Sequence, residues 1–155
     1  MQRGEQSEGR RAVAIAETLA NARATRDAMD HGETDYIRVA AESMRSASGS
    51  ESIVVAKADR TVIASADPGQ LNTHYDVGDS PVLDGRSWVG DTDLDGARAA
   101  VAMAPVLAPR GPDVLGFVAV VRPYPGVLDA LADAAPNLLT YLGLASDRRR
   151  VISSS

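Results

Sequence analysis

The chain has 155 residues, enough for one core of ordinary domain size. Hydrophobic residues make up 45 % of it but aromatics only 4 %, so alanine and valine carry the packing and any pocket is lined by small aliphatic groups. A net charge of −5 argues against a nucleic-acid backbone as partner, because phosphate binding needs clustered Lys and Arg, and the absence of cysteine rules out disulfides and thiolate metal sites.

Met1 to Gly9 has neither the basic start nor the apolar centre of a secretory leader. Residues from about 5 to 30 are rich in alanine and charge and free of proline, which favours a long helix. Ala12, Ile15, Ala16, Leu19 and Ala22 recur on one face of it, and His31-Gly32 supplies the stop. Thr34 or Asp35 caps a second helix in which Ile37, Ala40, Ala41 and Met44 repeat the same spacing, ending near Gly49.

Strand signals follow, near 52–57, 61–65, 87–91, 98–107 and 114–121. The first two form a hairpin about Ala58-Asp59-Arg60 that leaves through Asp67-Pro68. The last two are joined at Gly111-Pro112-Asp113 and so run antiparallel. The long segment between the second and third strands is rich in Asp, Gly, Asn and Pro, and a connection of that length is usually functional. Pro125 to Ala135 returns to a helical pattern. No apolar run reaches the roughly 20 residues needed to span a bilayer. The nearest, Pro136 to Ala145, stops at Asp147-Arg148-Arg149-Arg150, and taken alone the chain reads as soluble. The expected division is 1–50 helices, 51–122 sheet with pocket loops and 123–155 C-terminal helix and tail, together one α+β domain.

Motifs with catalytic or metal chemistry are weak. Asp91-Thr92-Asp93-Leu94-Asp95-Gly96 matches the opening of a calcium loop, yet its twelfth position is Ala102 where a bidentate Glu is required, and its flanks are strands. An acidic β-turn between the third and fourth strands is the expected reading, with Asp91, Asp93 and Asp95 as the fallback metal set. His31 and His74 have no ligand-spaced Cys, His or Glu beside them. Ser65, Ser80 and Ser87 lie in no nucleophile elbow, so a hydrolase is not expected. Trp88 either floors a pocket or fills core volume. Arg86 and Arg98 are read as the only cations in or beside the sheet strands, and therefore as the groups any acidic ligand would need.

The order of these pieces resembles the extracytoplasmic PAS-like (PDC-type) sensor domain of the citrate/dicarboxylate receptor histidine kinases, the CitA/DcuS family. The resemblance is carried over about residues 8 to 145 by the helix AVAIAETLANARATRDAMD, the hairpin SIVVAKADRTVIASADPGQLN, then GRSWVGDTDLDG, VAMAPVL and VLGFVAVV. It implies a long N-terminal helix and a second helix on a five-stranded antiparallel sheet, with ligand bound on one sheet face under the loops. It further implies a homodimer through the first helix and a parent anchored in the membrane, in which this chain follows one membrane helix and ends near the next. No cofactor and no catalysis are implied for the chain itself, since the parent's phosphotransfer lies outside it.

The family typically carries Arg-x-x-His in the second strand and Arg and Lys two residues apart in the fourth, all gripping substrate carboxylates. Those positions read Val62, Ser65, Val101 and Met103 here, while a family Thr and Ser become Val54 and Ala119. With Arg86, Trp88, Asp95 and Gly96 these residues make up the expected pocket. An ionised carboxylate buried without a partner costs several kcal/mol, so a neutral or weakly polar small ligand is expected in place of citrate. The rival readings are a cytoplasmic PAS-like module that binds a protein partner, and the sensor of a chemoreceptor or cyclic-dinucleotide enzyme.

Overall fold

The computed structural model of the chain describes residues 2–94 and 96–124. Three helices, α1 (Gln2–Asn21), α2 (Arg23–His31) and α3 (Thr34–Ser48), precede five strands: β1 (Ser52–Lys57), β2 (Val62–Ala64), β3 (Trp88–Leu94), β4 (Ala97–Leu107) and β5 (Val114–Pro123). The strands form one antiparallel sheet in the order β2-β1-β5-β4-β3. This is the expected α+β, PAS-like architecture. The expected C-terminal helix and basic tail lie outside the described residues.

One expected helix is two. The chain is extended at Ala22 (φ −60°, ψ 131°), although nothing in the sequence there breaks a helix. Tertiary contacts account for the turn. With α2 redirected, Thr25 and Ala28 are buried, and Arg26 donates from Nε to the Leu107 carbonyl (3.0 Å) and from Nη2 to that of Ala108 (2.6 Å). Those two carbonyls lie at the end of the β4–β5 hairpin, where the strand ladder has stopped supplying donors. Gly32 and Gly49 end α2 and α3 in the left-handed region, φ +70° each, and their amides close the last turns.

The helices cover one face of the sheet. Ala12, Ala16, Leu19 and Ala20 of α1, with Ala28, Ile37 and Ala41, pack on Ile53, Val55, Ala102, Ala104, Val118 and Val120. Alanine at the α1 contact positions lets the helix lie close to the strands, which is how a chain so poor in aromatics fills its core. The opposite face carries Val54, Val62, Val101, Met103, Phe117, Ala119 and Val121. The two sets alternate along β1, β4 and β5, as side chains in a pleated strand must.

The central strand β5 tolerates no bulk at Gly116. A Cβ there would stand 2.1 Å from the Ala56 carbonyl oxygen and 2.3 Å from the Met29 methyl group. Glycine is required by close approach of a neighbouring strand on one side and a helix side chain on the other.

Candidate functional site

The face of the sheet turned away from the helices is roofed by segment 66–86. Two short 3₁₀ turns shape this roof, Pro68–Gln70 and Pro81–Asp84. Each begins with a proline after a capping side chain: Asp67 accepts from the Gly69 amide at 2.9 Å and Ser80 from the Val82 amide at 3.2 Å. Val82 is fully buried beneath the second turn and pins the roof to the sheet. The first part of the roof pairs with the outer edge of β2: the Val62 amide donates to Thr73, and the Asn72 amide to Val62, both at 2.9 Å. The roof thereby also closes an edge strand that would otherwise offer unpaired backbone groups.

Beneath it the structure brings most of the expected residues into one layer. Val54, Val62, Val101, Met103 and Ala119 are all buried, with Trp88 partly buried against them, and Trp88 sits directly across from Met103 in the β3–β4 ladder. Ala102 points the other way, into the helix-side core. Leu71, Tyr75, Val77 and Leu83 pack down from the roof. Tyr75 meets Phe117 edge-on with ring centroids 5.8 Å apart, and burial pushes its phenol pKa up, with a smaller push from the Asp76 carboxylate. Neither Tyr75 nor Phe117 was expected from sequence at this site. The signal was present, since a Tyr flanked by polar residues in a Gly- and Asp-rich loop has few other places to bury its ring.

Other expected residues stand elsewhere. Ser65 lies just past the end of β2, and its hydroxyl donates to Gln70 Oε1 (2.5 Å) and accepts from the Asp67 amide (3.1 Å), so it closes the turn into the roof. Arg86 precedes β3 and is exposed. Arg98 faces outward, donating to Asp91 at 2.7 Å and lying over the Tyr124 ring at 5.8 Å. Neither arginine joins the buried layer. The reading that these two are the only cations of the sheet is also corrected: Lys57 ends β1, and β5 runs on to Pro123 and so includes Arg122, which is buried on the helix side.

The connection between β3 and β4 is shorter than the expected acidic turn. β3 continues through Leu94, so Asp91 and Asp93 are strand residues, and Gly96, just before β4, is left-handed (φ +86°). Among the described residues no group of three acidic or histidine side chains is arranged to hold a metal. Asp95 lies outside them. The hydroxyl of Tyr124 donates to Asp91, and with Arg98 it holds the Asp91 carboxyl below its ordinary range.

A concavity of about 460 Å³ lies on the helix side, between Gly9, Arg10 and Val13 of α1 and Val89, Gly90, Asp91 and Tyr124. No helix among the described residues is long and apolar enough to cross a membrane.

Residues 2–134 match the model of the family described as Single cache domain 3. Among solved structures, the DcuS sensor domain from E. coli superposes with a TM-score of 0.69 at 20 % identity, over 82 % of this chain and 96 % of that one. The sensor domain of the histidine kinase DctB from V. cholerae gives a TM-score of 0.61 at 14 % identity, over 79 % of this chain and 52 % of that one, so this chain spans about half its length. No curated protein matches. At these identities the likeness to the two solved domains is one of fold, and it agrees with the resemblance found in the sequence.

Proposed function

Since the chain belongs to the single cache domain 3 family, we propose that it is the extracytoplasmic ligand-sensing domain of a membrane-anchored sensor histidine kinase. Its occupancy is read by the rest of the parent protein, and the phosphotransfer chemistry lies outside these residues. Binding acts by shifting a population, which requires the ligand to prefer one conformation of the domain over another.

The ligand is small and neutral or weakly polar. One observation carries this: the layer under the roof, Val54, Val62, Val101, Met103 and Ala119, holds no charged side chain. The buried polar residues among those described are Glu8, Thr25, Ser50 and Arg122, which belong to the helices, to the α3–β1 link and to the helix-facing end of β5. A di- or tricarboxylate placed on the roofed face would lose its hydration with no cation to replace it. Polar recognition instead falls to the Tyr75 hydroxyl and to backbone groups of segment 66–86.

Pairing of two copies through α1 would use its outer strip, Arg11, Ala14 and Thr18, because Ala12, Ala16, Leu19 and Ala20 are committed to the core and Ile15 packs against it. Sedimentation over a range of concentrations measures that step.

Titration calorimetry with citrate, malate and succinate is expected to give no binding tighter than about millimolar. A thermal-shift screen of neutral metabolites is expected to give a positive, since a ligand at 100 times its dissociation constant adds about 2.7 kcal/mol. Micromolar binding of citrate would overturn the assignment of ligand class.

A further inference from the structure

Arg122 and Glu8 are the buried charged residues among those described, and they meet on the helix side, away from the roofed face. The alternation that turns Phe117, Ala119 and Val121 toward the roof turns Val118, Val120 and Arg122 toward the helices. The Arg122 guanidinium donates from Nε to Glu8 Oε1 at 2.7 Å and from Nη1 to the Ser48 carbonyl at 2.8 Å and the Ser50 hydroxyl at 3.1 Å. The Ser50 hydroxyl is itself hydrogen-bonded to that of Ser48 at 2.8 Å. One planar cation therefore joins the end of β5, an early turn of α1 and the C-terminal end of α3, parts of the chain 114 and 74 positions apart.

Cohesion alone does not explain a charged joint at this place. Apolar residues of similar volume would hold the three elements at least as well, because the desolvation of a buried ion pair offsets most of its attraction. What charge adds is discreteness. A small slide of β5 past α1 would leave both ions buried and unpaired, at several kcal/mol, so the strand end is either held or displaced far enough for water to reach both groups. Residues of the same strand, Phe117, Ala119 and Val121, form part of the layer beneath the roof. A change in packing at that layer and the position of Arg122 are thus mechanically linked through a few residues of one strand.

We propose that Arg122 is a latch that fixes the end of β5 against α1 and the end of α3, and that its release is the discrete step by which the domain changes its output geometry. The significance for signalling rests on the sensor reading above. The latch itself is tested without any ligand.

The chain lacks cysteine, so spin labels can be placed singly at exposed positions. A pair at Arg11→Cys on α1 and Pro123→Cys at the end of β5 reports the joint, and a pair at Arg11→Cys and Lys57→Cys reports the rest of the sheet. Electron–electron distance measurements on labelled chain diluted with unlabelled chain, so that no label pair spans two copies, are expected to give one narrow population for the first pair in the otherwise natural chain. Glu8→Ala is expected to add a second, longer population for that pair and leave the reference pair unchanged. Arg122→Lys retains the charge but loses the fork that serves two elements together, so it is expected to release part of the population. Ser50→Ala, which removes one arm only, is expected to release less, and it keeps the test decisive if Glu8→Ala does not fold. Unchanged distances in all folded variants, or equal broadening of both pairs, would overturn the latch. Either result leaves the sensor reading intact, whereas a metabolite screen without a positive counts against the sensor reading and not against the latch.

Discussion

The indole of Trp88 lies back along its own strand over Gly90, so close that a Cβ on residue 90 would stand 2.5 Å from Cζ2 and 2.6 Å from Cη2. Residues two apart in a strand share a face, and the absent side chain at 90 is what allows the ring to fold down into the layer beside Met103. Gly90→Ala is expected to push the ring outward and cost about 1–3 kcal/mol, as overpacking does. Trp88 is the only tryptophan, so a red shift of intrinsic fluorescence reads the displacement directly. Unchanged emission would mean that the ring is not held by that contact.

Met103 is buried at the centre of the roofed layer, 4 % exposed, with Val101 and Ala119 beside it. Met103→Arg places a cation where no acidic side chain joins the layer among the described residues. A loss of about 3–5 kcal/mol in urea titration is expected, as for a buried charge without its partner. Partial recovery on adding succinate would show that the roofed face admits a carboxylate once it has a counter-charge. A domain indifferent to Met103→Arg would show that this position reaches water.

The side-chain oxygen of Thr25 is buried in α2 without a hydrogen-bond partner. An unsatisfied buried hydroxyl carries a desolvation penalty of about 1–3 kcal/mol, and valine has nearly the same shape. Thr25→Val is therefore expected to raise the denaturation midpoint by an amount worth about 1 kcal/mol, less the small difference in helix propensity. A lowered midpoint would indicate a partner for the hydroxyl that the structure does not display.

Much of this arrangement was legible in the sequence because it rests on periodicity. The alternation along VVAK, VAMAPV and FVAVV gives both the strands and the separation of Met103 from Ala102, and the alanine spacing of α1 gives its buried face. The misread features depend on contacts between segments far apart in the chain. The break at Ala22 exists because Arg26 is drawn to the end of the β4–β5 hairpin. The extension of β3 through Asp93 reflects its ladder with Arg98 and Ala99, where local acidity alone suggests a turn. Arg122 was overlooked because the apolar run that marks β5 stops at Val121. A lone cation after such a run looks like a solvated end until Glu8 and the end of α3 are brought to it.

Asp91 provides a stability signature at low pH. The Tyr124 hydroxyl bond, and after it the Arg98 guanidinium, lower the Asp91 pKa in the folded domain. A carboxyl whose folded value is depressed contributes stability that is fully present above its unfolded value, about 3.9, and is lost as pH falls through the folded one. Urea titrations of the natural chain and of Asp91→Asn are therefore expected to differ by a constant amount above about pH 5 and to converge below about pH 4. His31 does not obscure this window. Its ring donates from Nδ1 to the Asp27 carbonyl, which raises its pKa above the ordinary value, well clear of the carboxylate range in which the two chains converge. The carboxyl is half exposed and solvent screens it, so the difference is small. The expectation lies in its direction: a difference between the two chains that stayed flat down to about pH 2.5 would show that neither Tyr124 nor Arg98 favours the ionised form.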